Sequence, residues 1–197
     1  MTKKLFITSP AVAKEILKLS YFIIEDSISE INERRIDTDA ILFNLRKRVK
    51  NLRAFLKLLR KDFGEEFVKK NNFTLRDLNR RSTAIRNYSA LLKSCELLKS
   101  EHINPECSEA LELLQNRIQL DFDAIKNKTD YNALFNFYQS QLDKYKDRLS
   151  HTEIKSNRFS SVKYGLNKIY TEGRKNLSLS IDYPDTEILQ KKKKSTK

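Results

Sequence analysis

Ala40 to Lys61 reads AILFNLRKRVKNLRAFLKLLRK. Eight of the sixteen residues from Arg46 to Lys61 are basic and none is acidic. At about 100° per residue, Arg46, Lys50, Arg53, Lys57 and Arg60 fall within roughly 80° of one helical face. Ile41, Leu45, Val49, Leu52, Leu56, Leu59 and Phe63 form a second stripe centred roughly 100° away. One helix therefore carries an oily seam with a line of cations beside it. The seam makes it part of a bundle, and the cation line needs a separate explanation.

Two explanations compete. Lys and Arg are good helix formers, so the line reads first as a solvated face. A solvated face usually mixes signs, because acids four residues away support a helix. Here neighbours at i, i+3 and i, i+4 repel, at a few tenths of a kcal/mol per pair. The second explanation is a polyanionic partner, because pooled cations raise local anion concentration and steer association.

The rest of the chain agrees with a helical reading. Its 197 residues suffice for one domain with a real core. Three glycines and three prolines leave few turns and long elements. Abundant Glu, Lys, Leu and Arg favour an all-α helical bundle over a sheet protein. The net charge of +13 points to nucleic acid, an anionic membrane surface or another polyphosphate. Cys95 and Cys107 lack a paired spacing, which suggests a reducing cytosol and neither a disulfide scaffold nor a zinc site. No apolar run at the N-terminus is long enough for a signal peptide. No stretch approaches a membrane span of about eighteen apolar residues.

Ser9-Pro10 reads as an N-cap with proline at the first helical position, starting a helix to about Asn32. Its seam is Val12, Ile16, Leu19, Ile23 and Ile28. Asp37 or Thr38 caps the basic helix, and Gly64 ends or kinks it. Residues 65–72 read as a short helix or a loop. A third helix is expected from Phe73 to Lys99, with Thr74 and Asp77 at capping-box spacing. Its seam is Leu75, Leu78, Ser82, Ile85, Ser89 and Leu92, and it adds the cations Arg76, Arg80, Arg81, Arg86 and Lys93. Residues 101–123 turn acidic. Helices are expected over 109–126 and 131–149, and a last one over 161–177. Gly165 and Gly173 weaken that last helix by about 1 kcal/mol each relative to alanine. The tail, QKKKKSTK, reads as disordered. The division is then 1–183 for the helical domain and 184–197 for the basic tail.

Several chemistries have no carrier. Isolated glycines cannot build a glycine-rich phosphate loop, and neither HExxH nor another metal-ligand spacing occurs. His102 and His151 sit in polar connections, far apart in sequence, and read as solvated. Cys95 reads as a small core or boundary residue. Asp121 and Asp123 cannot face one side of a helix together, which argues against a paired carboxylate site. No cofactor and no catalytic residue is expected.

These residues carry a family likeness. AILFNLRKRVKNLRAFLKLLRKDFG, followed by LRDLNRRSTAIRNYSALL, resembles the CHAD domain, the conserved-histidine alpha-helical domain. Leu45-Arg46-Lys47 with Lys50, Leu52 and Arg53 stand in its first signature. Leu75-Arg76-Asp77 and Arg86-Asn87 stand in its second. GLNKIYTEGRK looks like the helix that opens its second repeat, placing Tyr170 and Arg174 on matching positions. The resemblance implies a first four-helix repeat plus the start of a second, non-enzymatic binding of inorganic polyphosphate, and a cytoplasmic bacterial protein, at times at polyphosphate granules. Phe43 stands where the family has its histidine, and Asn87 where it has an aspartate. The second basic helix would only begin at TEILQKKKK, so the resemblance implies an incomplete second repeat, with apolar surface around Leu166, Ile169 and Tyr170 and self-association through it.

The expected site for polyphosphate or another polyanion is Arg46, Lys47, Lys50, Arg53, Lys57, Arg60, Arg76, Arg80, Arg86, Tyr170 and Arg174. The alternative is a basic helical protein that binds RNA or DNA, because Lys and Arg neutralise any phosphate chain. Against it, the aromatics lie mostly on seams, and Asn44 and Asn51 are the only amides of the basic helix that could face bases. A structural partner completed by another subunit is a third reading. An enzyme acting on triphosphates is the least favoured, since alternating glutamates on a strand are missing.

Overall fold

The oily seam of the basic helix is the axis of the molecule. Ile41, Leu45, Val49, Leu52, Leu56 and Leu59 are all buried, as their spacing requires, and Phe63 is half-buried. The computed structural model describes residues 11–34, 37–100, 104–154 and 159–182. Among them are eight helices and no strand: α1 (Val12–Glu33), α2 (Thr38–Leu58), α3 (Arg60–Phe63), α4 (Glu65–Arg81), α5 (Thr83–Ser100), α6 (Pro105–Lys128), α7 (Tyr131–Ser150) and α8 (Phe159–Asp182). No helix among them is long and apolar enough to cross a membrane.

Four helices close a ring. α1 packs on α2, α2 on α4, α4 on α7, and α7 back on α1. Ile23, Ile24, Ile31, Leu75, Leu78, Phe135, Tyr138, Leu142 and Tyr145 fill its centre with the α2 seam. The chain leaves this ring between α4 and α7 to build an α5–α6 hairpin, whose two helices pack chiefly on each other. Two helices cannot cover all their own apolar side chains, and Leu97, Leu113 and Leu120 stay about two-thirds exposed. α8 lies across α2 and α3 and closes the end of the ring with Ala13, Ile16, Leu59 and Val162.

Local signals explain most boundaries. Asp37 caps α2 by accepting the Asp39 and Ala40 amides at 3.0 and 3.4 Å, as expected of Asp at that position. Asp130 caps α7 through the Ala133 amide at 2.9 Å. Gly64, at φ +81°, separates α3 from α4 as expected. The expected cap at Ser9-Pro10, the break at Tyr183-Pro184 and the basic tail lie outside the described residues.

The stretch from 65 to 99 departs from expectation. Helix α4 starts at Glu65, not at Phe73, because the Gly64 carbonyl already accepts the Val68 amide and two glutamates stabilise the first turn. Thr74 is therefore mid-helix and bonds back to the Lys70 carbonyl at 3.2 Å, so no capping box forms with Asp77. The expected single helix over 73–99 is two, broken at Ser82. The Ser82 hydroxyl accepts from Arg46 Nη1 at 2.8 Å and meets the Tyr138 hydroxyl at 3.1 Å. The last helices are also longer than the seams suggested, reaching Lys128, Ser150 and Asp182.

The two helical glycines of α8 are not equivalent. A Cβ on Gly165 would come within 2.7 Å of the Leu58 Cα and the Lys57 carbonyl oxygen, and nearer still to the Leu58 carbonyl. These are backbone atoms, which cannot swing aside. A Cβ on Gly173 would meet nothing within 4 Å. Gly173→Ala is expected to raise the denaturation midpoint by about 0.5–1 kcal/mol of added stability, the helix-propensity gain. Gly165→Ala is expected to lower it despite the same gain, because α8 must move off α2. Equal shifts of the two variants in urea unfolding would refute this account of α8 packing.

Candidate functional site

The α2 seam has two flanks, and they are treated differently. On the α1 side, Arg48 forms ion pairs with Asp26 and Glu30, and Asn44 donates to Glu30 Oε1 at 2.7 Å. The cation on this flank is neutralised by carboxylates. On the α4 side the partners are amides, a hydroxyl and a carbonyl. Arg46 donates to the Asn79 carbonyl and to Ser82, and Asn79 Nδ2 returns a bond to the Arg46 carbonyl at 3.2 Å. Arg53 Nε donates to Asn72 Oδ1 at 2.9 Å. Asp77, the one carboxylate of α4 beyond its first turn, is shared between Arg76 at 3.5 Å and Arg80 at 3.3 Å.

The result is a crowd of cations along the α2–α4 groove. Burial lowers the Arg53 pKa first, and the Arg76 charge lowers it further. Burial likewise lowers the Lys57 ammonium, followed by Arg53; Glu172 opposes this and Arg60 adds to it. Arg46 is lowered by burial, partly restored by Tyr138 and lowered again by Arg86. Arginine stays protonated through such shifts, so the groove keeps its charge and an anion would relieve it.

At its α3 end the groove opens into a cleft of about 410 Å³ between α2, α3, α4 and α8. Lys57, Arg60, Lys69, Asn72 and Lys168 line it, together with Glu65, Glu66 and Glu172. Lys168 donates to Glu65 Oε1 at 2.6 Å, which holds the Glu65 carboxyl below its ordinary range.

The expected site residues divide on this geometry. Arg53, Lys57, Arg60 and Arg76 come together along the groove and cleft. Arg46 stands at the other end beside the Arg86 charge, but its guanidinium is engaged in closing the end of α4. Arg80 is exposed and tied to Asp77, and Lys47 and Lys50 are exposed. Lys47 lies roughly 100° round α2 from Arg46, on the solvent side. Tyr170 and Arg174 are exposed, and each follows a cleft residue, Lys168 or Glu172, by two positions. Two positions are roughly 200° of helix, so both lie on the opposite side of α8.

Sequence reading missed Lys69, Asn72, Lys168 and Glu172. Lys69, Asn72 and Arg76 do follow helical spacing, but only on a helix that begins at Glu65. Phe73 and Phe43 are among the aromatics that escape the seams. Phe73 is 56% and Phe43 62% exposed, with Arg76 4.5 Å and Lys93 5.8 Å from their ring centres. Cys95 is buried, as expected. Among the described residues no cluster of His, Cys, Asp and Glu could hold a metal ion.

Compared with family models, curated proteins and solved structures, the chain matches none.

The two ends of the groove are expected to differ in stability. Arg46→Ala leaves the Asn79 carbonyl with the Thr83 hydroxyl alone and takes a charged donor from the buried Ser82–Tyr138 pair, a loss of about 1–3 kcal/mol. Arg53→Gln keeps hydrogen-bonding capacity at Asn72 and removes one of several crowded cations, so it is expected to be neutral or slightly stabilising. Denaturant midpoints of the two variants test this; a loss at Arg53 equal to that at Arg46 would make Arg53 a structural residue.

Proposed function

We propose that this chain is a non-enzymatic binding module for a linear polyanion, with inorganic polyphosphate as the first ligand. The observation that carries the reading is the asymmetry of α2. Its α1 flank is neutralised by Asp26 and Glu30, whereas its α4 flank gathers Arg53, held by the Asn72 amide, with Lys57 and Arg76, and the carboxylates there, Asp77 and Glu172, are each shared between cations. Crowded, partly desolvated cations are unfavourable alone and become favourable when phosphate oxygens supply the acceptors. The motif resemblance to the CHAD domain supports the same ligand, a repeat-based helical fold and a cytoplasmic bacterial setting near polyphosphate granules.

One observation favours the nucleic-acid alternative. Phe73 is an exposed aromatic beside the groove cation Arg76, and single-stranded nucleic acid is held by such stacking platforms. Competition between long-chain polyphosphate and RNA, at matched phosphate and salt, decides between them. Phe73→Ala would weaken RNA binding and leave polyphosphate binding unchanged.

If about five cations contact phosphate, a slope of roughly −0.7 per contact makes a fourfold rise in salt cost on the order of a hundredfold in affinity. Arg53→Glu with Lys57→Glu is expected to abolish most binding and preserve helicity. The same reversal at Lys192 and Lys193 is expected to matter much less. An equal loss from the tail reversal would reduce the groove to a solvated face.

Leu166 and Tyr170 are 44% and 67% exposed on α8, and Ile169 is half-buried. We propose self-association through this face, since contiguous exposed apolar surface favours it. Sedimentation of the full chain is expected to show a dimer at high micromolar concentration; a clean monomer there would refute it.

A further inference from the structure

We propose that the cleft between α3, α4 and α8 is a receptor for the terminal phosphoryl group of a linear condensed phosphate, with Arg60 as its anchor. This rests on the polyanion reading of the adjoining groove and adds to it a direction and an end.

The anchor is unusual chemistry for a structural residue. Arg60 is 8% exposed, yet no hydrogen bond reaches its Nε or Nη1. Glu65 Oε1 stands 3.7 Å from Nε, and Glu172 Oε1 stands 3.6 Å from Nη1. Both contacts are ionic and both exceed hydrogen-bond length. A buried guanidinium is held in place by acceptors that satisfy its fork, and here the acceptors stop short. Both nitrogens are themselves shielded from solvent, on a side chain that lines an open cleft, so a ligand reaches them by displacing the Glu172 carboxylate. Oxygens brought in by a ligand can complete the fork.

The surroundings specify what kind of oxygens. Lys57, Lys69 and Lys168 share the cleft with Arg60, and Asn72 adds an amide. Four cations oppose the carboxylates of Glu65, Glu66 and Glu172. Glu65 is bound to Lys168 and Glu172 leans on Arg60. Glu172 thus occupies the place of an anion without making an anion's hydrogen bonds.

Direction follows from the path of charge. Arg76 acts on Arg53, Arg53 on Lys57, and Lys57 sits beside Arg60. Asn72 belongs to both parts, holding Arg53 and lining the cleft. A linear chain laid along the groove meets α8 at Arg60, where Lys168 and Glu172 form the wall. An internal phosphate of such a chain carries one charge. A terminal phosphoryl carries about −1.5 to −2 near neutral pH, with three acceptor oxygens. The three oxygens of the end suit the unfilled Arg60 fork in the cleft, and the singly charged interior lies along the open groove.

The test compares linear with cyclic condensed phosphate of equal phosphorus count, titrated into the full chain by calorimetry at fixed salt. The cyclic form has no ends. Linear tetraphosphate is expected to bind at least tenfold more tightly than cyclic tetrametaphosphate. Phosphorus resonance spectra are expected to show the terminal signal broadening before the internal one. Lys168→Gln with Lys57→Gln is expected to bring the linear-to-cyclic ratio toward one. Arg60→Gln risks the fold, so Glu172→Gln is the sharper variant. It removes the carboxylate that competes for Arg60 and is expected to raise affinity for the linear form severalfold, with little change for the cyclic one. A merely structural Glu172 would give no such gain. Equal affinity for linear and cyclic forms, with long-chain polyphosphate still bound, overturns the end receptor and leaves the groove standing. Failure of long-chain polyphosphate and tetraphosphate alike overturns both.

Discussion

Arg46 crosses from α2 to the last turn of α4, and much of the architecture depends on that contact. It gives the Asn79 carbonyl and the Ser82 hydroxyl a donor, while Asn79 bonds back to the α2 backbone and Tyr138 closes the set from α7. Helix termini leave carbonyls without partners, and a buried terminus is stable only when something supplies them. Here the Asn79 carbonyl is supplied by a cation from the neighbouring helix together with the Thr83 hydroxyl. The contact ends α4, turns the chain into the α5–α6 hairpin and sets the separation of α2 from α4. That separation is the width of the groove.

Placing charge at this joint has consequences along α2. A helix turn brings residues three and four apart onto one side, so a cation at Arg46 puts Lys50, Arg53 and Lys57 on the same flank. The α1 flank solves its charge with carboxylates. The α4 flank cannot do so in the same way, because α4 presents Asn72, Asn79, Arg76 and one shared Asp77. Partial burial strengthens electrostatic effects there, favourable or not. Phosphate oxygens brought to this flank would relieve that crowding.

The closing helix completes the arrangement through a missing side chain. Without a Cβ at Gly165, α8 comes down onto the carbonyls of Lys57 and Leu58. Leu59 and Val162 fill the space below this crossing, and Lys168 and Glu172 reach the cleft one and two turns further on. The end wall of the groove thus owes its position to one backbone contact.

Helical periodicity, the α2 seam, the Asp37 cap and the Gly64 break were legible in the sequence, because each is a local matter of spacing or of one residue's backbone preference. The crowding of like charge on α2 was legible for the same reason. The break at Ser82 was not, because it depends on Arg46 and Tyr138 arriving from elsewhere in the chain. The α4 start misled because Glu65 to Asn72 lacks a strong apolar seam, and with it went Lys69 and Asn72. Tyr170 and Arg174 were expected in the site on a motif match, yet they face away, since the rotation of α8 follows from how Gly165 packs. Spacing along the chain was enough to show that it is helical throughout and which faces of the strongly periodic helices are oily. Only the tertiary structure decided which cations are neutralised and which are left together, because that depends on what each flank of α2 meets across the bundle.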